Sequence, residues 1–355
     1  MIDQDTLAQA IEADDRRRAA RRDFLRTASQ LTIAAGGTSL LAACGGSGTA
    51  TPTPTSSSAT PTPSPSSTDA IRDTAALNFA LQLAYLQAQF FTYATTGSGV
   101  GALPASTSLP GGGAALLTGP GGAAPGTVTG GRAVTFTDPL VGEYAREIAA
   151  DDLAHLKFLR SAIGSQATAM PAIDIDGSAT RSTGAFTQAA RLANYDFNAG
   201  ASVLFGFDPY AGDLNFLLAA FFLKDVAVTA YKGAATVITA ALYLDSAGGL
   251  LSTQAYHAGL IRTTLYVKGQ GALTQQFSDA RDGLDGSTDI DQGTGSAGGT
   301  ANISPTDAQG RVYTRTSGQV LNIAYLNAAA VTSGGFFPAG VNGSIKTSAN
   351  SSVAT

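Results

Sequence analysis

The sequence predicts an all-α fold: a four-helix bundle with long glycine-rich loops and one additional helix near the C-terminus. Three observations carry this expectation. Apolar residues recur at helical spacing in four long stretches. Two of those stretches hold a pair three residues apart, Asp152 with His155 and Gln254 with His257, and these are the only two histidines of the chain. Many of the 42 glycines fall in residues 97–131 and 283–299, outside the helical stretches.

Composition narrows the function. At 355 residues with 44% hydrophobic and 13% charged side chains, the chain can fill a sizeable core. A net charge of −5 argues against a nucleic-acid partner. The single cysteine rules out an intramolecular disulfide framework. No P-loop, dinucleotide-binding fingerprint, G-x-S-x-G elbow or internal repeat is present.

Residues 1–43 read as an address. Arg21-Arg22-Asp23-Phe24-Leu25-Arg26 resembles a twin-arginine export signal, and a short apolar stretch, 31–43, follows it. That stretch runs into Leu41-Ala42-Ala43-Cys44, which resembles a bacterial lipobox. The resemblance implies cleavage before Cys44, lipidation of its thiol and a membrane partner through the lipid. Gly45 is not the aspartate that retains lipoproteins on an inner membrane, which favours an outer membrane where the host has one. Residues 44–68 form a linker. Within it TATPTPTSSSATPTPSPSST cannot build a core and would span roughly 60 Å at about 3.1 Å per residue.

The bundle is expected over residues 69–270. The first helix, 69–96, is apolar on several faces and stops at Gly97 and Gly99. A loop of some forty residues, 97–137, follows, with room for a small hairpin around 133–137. Thr137-Asp138-Pro139 is a helix start, with Asp138 as N-cap and proline at N1, for a second helix running to Ile163 before Gly164. Its apolar line passes through Ile148, Asp152, His155 and Leu159, so these polar residues sit near the buried stripe. A long connection includes a helical stretch near 186–205. The third helix is expected at 214–244, capped by Asp213, and the fourth at 249–268 after a turn at 245–249. A short turn makes these two antiparallel, and the long second connection suits a crossover along the bundle. Residues 271–355 form an extension, with a helix at 319–331 and Phe336-Phe337-Pro338 packing back on the bundle.

On a helix, residues i and i+3 share a side. Two such pairs on different helices, Asp152 with His155 and a weaker copy with Gln254 in the acid's place before His257, correspond to half of the inward ligand set of a carboxylate-bridged di-metal bundle. The stretch 69–268 resembles the bacterial ferritin-like domain family that also includes the desiccation-related proteins. The runs that carry the resemblance are Ala76-Leu77-Asn78-Phe79-Ala80-Leu81, Tyr85-Leu86-Gln87-Ala88-Gln89-Phe90, Glu147 to His155, Asp225 to Tyr231, and Gln254-Ala255-Tyr256-His257-Ala258. The resemblance implies a metal site. It also shows where this chain departs: Ala84, Gln87 and Gln89 stand where the first helix typically carries glutamates, Asp152 replaces glutamate before His155, Lys224 precedes Asp225, and Gln254 precedes His257.

Past residue 43 the chain has only two glutamates, Glu143 and Glu147. Two divalent ions need several carboxylates, and a lysine ammonium cannot ligate. The sequence therefore points to an exported, lipid-anchored module of the cell envelope with a degraded di-metal site and without a resident cofactor, structural or interacting in role; a stress-protective role is what the resemblance to the desiccation-related proteins implies. A homo-oligomer is compatible with that fold. The alternative is an oxidoreductase holding a single iron or manganese ion through Asp152, His155, Asp225 and His257, with Gln87, Gln254 and Glu147 as further candidate ligands. For Lys224 two placements are open: in the metal's place, neutralising a buried acid, or turned out to solvent with Asp225 pointing inward.

Overall fold

A computed structural model of the chain describes residues 67–178, 183–194, 206–295 and 299–351. The export, lipidation and linker segments, with Arg21, Arg22 and Cys44, lie outside the described residues. Seven helices of eight residues or more organise the rest: α1 (Ser67–Thr96), α2 (Pro139–Ile163), α3 (Ala185–Leu192), α4 (Asp213–Ala235), α5 (Ala241–Val267), α6 (Gly271–Asp285) and α7 (Ser317–Tyr325).

Helices α1, α2, α4 and α5 form the bundle. α1 packs along α2 and runs antiparallel to it, since Asn78 near the start of α1 donates to the Gln166 carbonyl just past the end of α2, and α4 turns back along α5 through the short break at 236–240. The two pairs are joined at both ends by carboxylates. Asp213, at the start of α4, accepts from the backbone N–H of Thr137 and Asp138 at the start of α2. Asp73 of α1 accepts from the backbone N–H of Thr239 (2.8 Å) and Ala240 (2.9 Å) at the start of α5. α4 thus runs parallel to α2, as the long crossover from Gly164 requires.

The third and fourth helices differ from their expected bounds. The break falls at 236–240 rather than 245–249, and Asp245, Gly248 and Gly249 are helical. Each interior glycine costs about 1 kcal/mol relative to alanine. The buried stripe Ala247, Leu250, Gln254, His257 and Ile261 outweighs that cost, while Asp73 supplies an N-cap that only tertiary contact brings. Asp213 likewise serves the start of α2 and not the N–H groups of its own helix.

α4 is apolar all round. It is long and apolar enough to cross a membrane, yet 89% of its most apolar window is buried inside the bundle. α1 is similar, and its buried amides hold the loops down. Asn78 Oδ1 accepts from the backbone N–H of Thr168 (2.9 Å), Gln82 Nε2 donates to Thr168 Oγ1 (2.8 Å), and Gln89 Oε1 accepts from Val100 N–H (3.1 Å). The glycine-rich loop is pressed against the bundle: a Cβ on Gly131 would meet the Tyr93 ring of α1 at 2.6 Å. No hairpin forms at 133–137. A two-residue parallel pair, Val128–Thr129 with Ile173–Asp174, joins the two long connections instead.

The C-terminal part is more helical than expected. α6 has the helical spacing Thr274, Phe277, Ala280, Arg281, Leu284 buried against the bundle, a pattern obscured by flanking glycine and aspartate. α7 begins earlier than residue 319, at a capping box between Thr316 and Gln319, and ends at Leu326 in the left-handed region rather than at 331. Phe336 reaches the core, 5.0 Å from Phe186 and 5.8 Å from Phe222 between ring centroids. The helical stretch near 186–205 is Ala185–Leu192 as far as Asn194, and 195–205 lies outside the described residues.

Candidate functional site

At mid-bundle three helices aim polar side chains at one point. Lys224 of α4 is fully buried, and its ammonium donates to Asp152 Oδ1 (2.6 Å) and Oδ2 (2.8 Å) on α2 and to Gln254 Oε1 (2.9 Å) on α5. An ammonium has three N–H donors, and all three have acceptors. The Phe91 ring of α1 closes the fourth side, with Nζ 4.8 Å from its centroid. Of the two placements open for Lys224, the inward one is found. Burial pulls its pKa down, against Asp152, which raises it.

The two histidines flank this clasp, with ring centroids 6.5 Å apart. The Gln254 amide donates to Asp152 Oδ1 (3.1 Å) and to His155 Nδ1 (3.2 Å), so that ring nitrogen is an unprotonated acceptor. Burial first, then the Lys224 and His257 charges, push His155 down to about 4 against the opposing pull of Asp152. His257 Nε2 donates to Asp151 Oδ2 (3.0 Å), while its buried Nδ1 has no partner. Burial raises Asp151, but the His257 hydrogen bond and the neighbouring positive charges prevail and hold its carboxyl below the usual range.

Asp152, His155, Gln254 and His257 therefore meet, and the other candidates do not. Asp225, next to Lys224, is rotated about 100° round the helix. It accepts from Arg262 (2.6 Å) and Arg281 (3.1 Å) on the far side of α4. Glu147 is exposed. Gln87 lines a neighbouring apolar groove with Leu83, Leu86, Phe222 and Ile323, and its buried Oε1 has no partner.

A resident di-metal centre does not fit these donors. Both oxygens of Asp152 and the oxygen of Gln254 are taken by the ammonium, and His155 Nδ1 is taken by an amide N–H. Among the described residues no group of three or more His, Cys, Asp or Glu is disposed to hold a metal. Any cation entering here would also face the Lys224 charge.

Asp225 leads into a second buried network that the sequence reading missed. Arg281 bridges Asp225 and Asp291 (2.8 Å) and donates to the carbonyls of Phe221 and Phe222. Arg315 pairs with Asp285 (2.5 Å) and with Asp291, and donates to Thr229 Oγ1 (2.7 Å). Gly233 lets the segment around Arg315 lie on α4, since a Cβ there would meet Arg315 O at 1.9 Å. Burial, with neighbouring carboxylates, lifts Asp282 to about 7; burial, against the opposing pull of Arg315, lifts Asp285 to about 6.

The two networks act oppositely on stability as pH changes. His155 falls from 6.5 to about 4 on folding, so the unfolded chain binds the extra proton and stability is lost as pH drops through that window. Asp282 and Asp285 rise from 3.8, so the folded chain binds the extra protons and stability is lost as pH rises through 6 to 7. His155→Gln should therefore make the bundle gain stability steadily from pH 7 to 5, where wild type is flatter. Urea denaturation at stepped pH checks this; parallel curves for both proteins would refute it.

A four-helix bundle with one long crossover and paired x-x-His residues on its second and fourth helices is the architecture of ferritin-like proteins. The chain belongs to the ferritin-like domain family, whose profile matches residues 72–267. It is 25% identical over 194 residues to the desiccation-related protein PCC13-62 of Craterostigma plantagineum, covering 55% of this chain and 53% of that protein, so it spans about half the length of that relative. It is also 23% identical over 291 residues to the ferritin-like catalase Nec2 of Nesocodon mauritianus, covering 77% of this chain and 84% of that one. No solved structure matches the chain significantly.

Proposed function

We propose that this chain is a metal-independent ferritin-like module, exported and lipid-anchored in a bacterial cell envelope, with a structural or stress-protective role. The observation that carries the metal-independent part is the Lys224 ammonium, held by Asp152 and Gln254 where the fold would place a cation. The chain supplies its own positive charge and leaves no carboxylate pair to bridge two ions. The desiccation-related relative supports the protective role.

The catalase relative favours a second reading, a metal-dependent oxidoreductase, because it aligns over most of both chains. The two readings separate on metal content. After aerobic loading with iron or manganese and desalting, the purified domain is expected to retain far less than one equivalent per chain. About two equivalents would defeat the metal-independent reading.

The address rests on Arg21-Arg22 and Leu41-Ala42-Ala43-Cys44. Cys44→Ser is expected to move the protein from the membrane fraction to the soluble fraction, or to leave it unprocessed. Full membrane retention after a high-salt wash would refute the lipid anchor.

A further inference from the structure

We propose that Lys224 and Gln254 become joined by an intramolecular isopeptide bond, with Asp152 as the catalytic acid–base. This inference rests on the metal-independent reading of the same site, because a resident cation would displace the lysine.

The geometry is that of an amine held against an amide by a shared carboxylate. Lys224 Nζ is 2.9 Å from Gln254 Oε1, and with a C=O bond of about 1.23 Å it lies no farther than about 4 Å from Cδ. Asp152 Oδ1 contacts both reactants, the lysine nitrogen at 2.6 Å and the departing amide nitrogen at 3.1 Å. All three side chains are at most 1% exposed. Bulk water is thus kept from the acyl carbon, and the reactants are fixed by three separate helices, which removes most of the entropic cost of bringing them together. The Phe91 ring covers the amine.

Atoms and charges balance without a co-reactant. Asp152 takes one proton from the Lys224 ammonium, which frees a lone pair on Nζ. Burial already favours the neutral amine. Nζ adds to Gln254 Cδ, and Asp152 returns its proton to the amide nitrogen as the C–N bond breaks. Ammonia departs, and the proton left on the newly bonded Nζ passes to Asp152. A buried ammonium–carboxylate pair becomes a secondary amide beside a neutral carboxylic acid. This removes two desolvated charges from the core. The acid can then donate to the new amide carbonyl. The bond would staple α4 to α5 across 30 residues of chain.

The test is the intact mass of the full-length chain, purified under denaturing conditions, followed by peptide mapping. The expected result is a chain lighter by one ammonia, with a branched peptide joining Lys224 to Gln254. Asp152→Asn and Gln254→Met should each abolish the branched peptide; Gln254→Met keeps the test usable if Asp152→Asn does not fold. Recovery of Lys224 and Gln254 from wild type in separate linear peptides would overturn the proposal, as would an ammonia loss that maps to a succinimide at Asn342-Gly343. Metal content measured on the same sample keeps the two readings apart. Linear peptides without metal sink only the linkage, whereas about two equivalents of metal sink the metal-independent reading itself.

Discussion

Relative to the chain with Lys224 and Gln254 unlinked, Lys224→Ala is expected to destabilise the bundle by about 3–5 kcal/mol, the usual cost of removing one partner of a buried ion pair. The reason is what it leaves behind. Asp152 would keep a single donor, the Gln254 amide, for a carboxylate at 1% exposure, and the space beside Phe91 would be a cavity. The Asp152→Leu and Lys224→Met double substitution removes both charges while keeping the volume filled. It is expected to recover most of the loss, since hydrophobic replacement of a whole buried pair is often neutral or stabilising. A double-mutant cycle by urea denaturation measures the coupling directly. A Lys224→Ala cost below about 1 kcal/mol, the size of an exposed pair, would show that the ammonium is not a structural replacement for a cation.

Arg281→Ala is expected to cost a comparable amount, about 3–5 kcal/mol, and to act on a different part of the molecule. Arg281 holds Asp225 on α4 and Asp291 in the segment after α6, with its guanidinium 4.6 Å from the Phe221 ring. Its removal leaves Asp291 to Arg315 and Asp225 to Arg262 and takes away the direct link from α6 to α4, while Arg315 to Thr229 and Arg262 to the Gly293 carbonyl remain. Arg281→Lys should fail too, because one ammonium cannot reproduce a planar fork that spans two carboxylates. Hydrogen exchange is the discriminating measurement: protection should fall in α6 and α7 well before α1 and α2. Uniform loss of protection, or a cost within about 1 kcal/mol of wild type, would refute the clamp.

Most of the bundle was legible because helix formation is local. The 3.6-residue spacing in α1 and α2, the Asp138-Pro139 start and the Gly164 stop of α2 are read from neighbours within a few positions. The departure from a ferritin-type ligand set was legible at Asp152 and Gln254, which lie three residues before His155 and His257, whereas at Gln87 and Lys224 it rested on the family resemblance. The misplaced break between α4 and α5 has a non-local cause. Its cap is Asp73, 166 residues away from Thr239. The missed α6 is the opposite case, where the spacing was present and compositional bias hid it.

The sequence by itself determined that this is an all-α bundle and that its two histidines sit on different helices of it. Only the tertiary structure decided which charge meets which. Lys224 and Asp225 are adjacent in the chain but about 100° apart round the helix, and nothing local says which one faces Asp152. The packing of α4 turns Lys224 into the bundle and Asp225 towards Arg262 and Arg281. A buried charge tolerates only a partnered position, and its partners here come from segments 30 to 72 residues away.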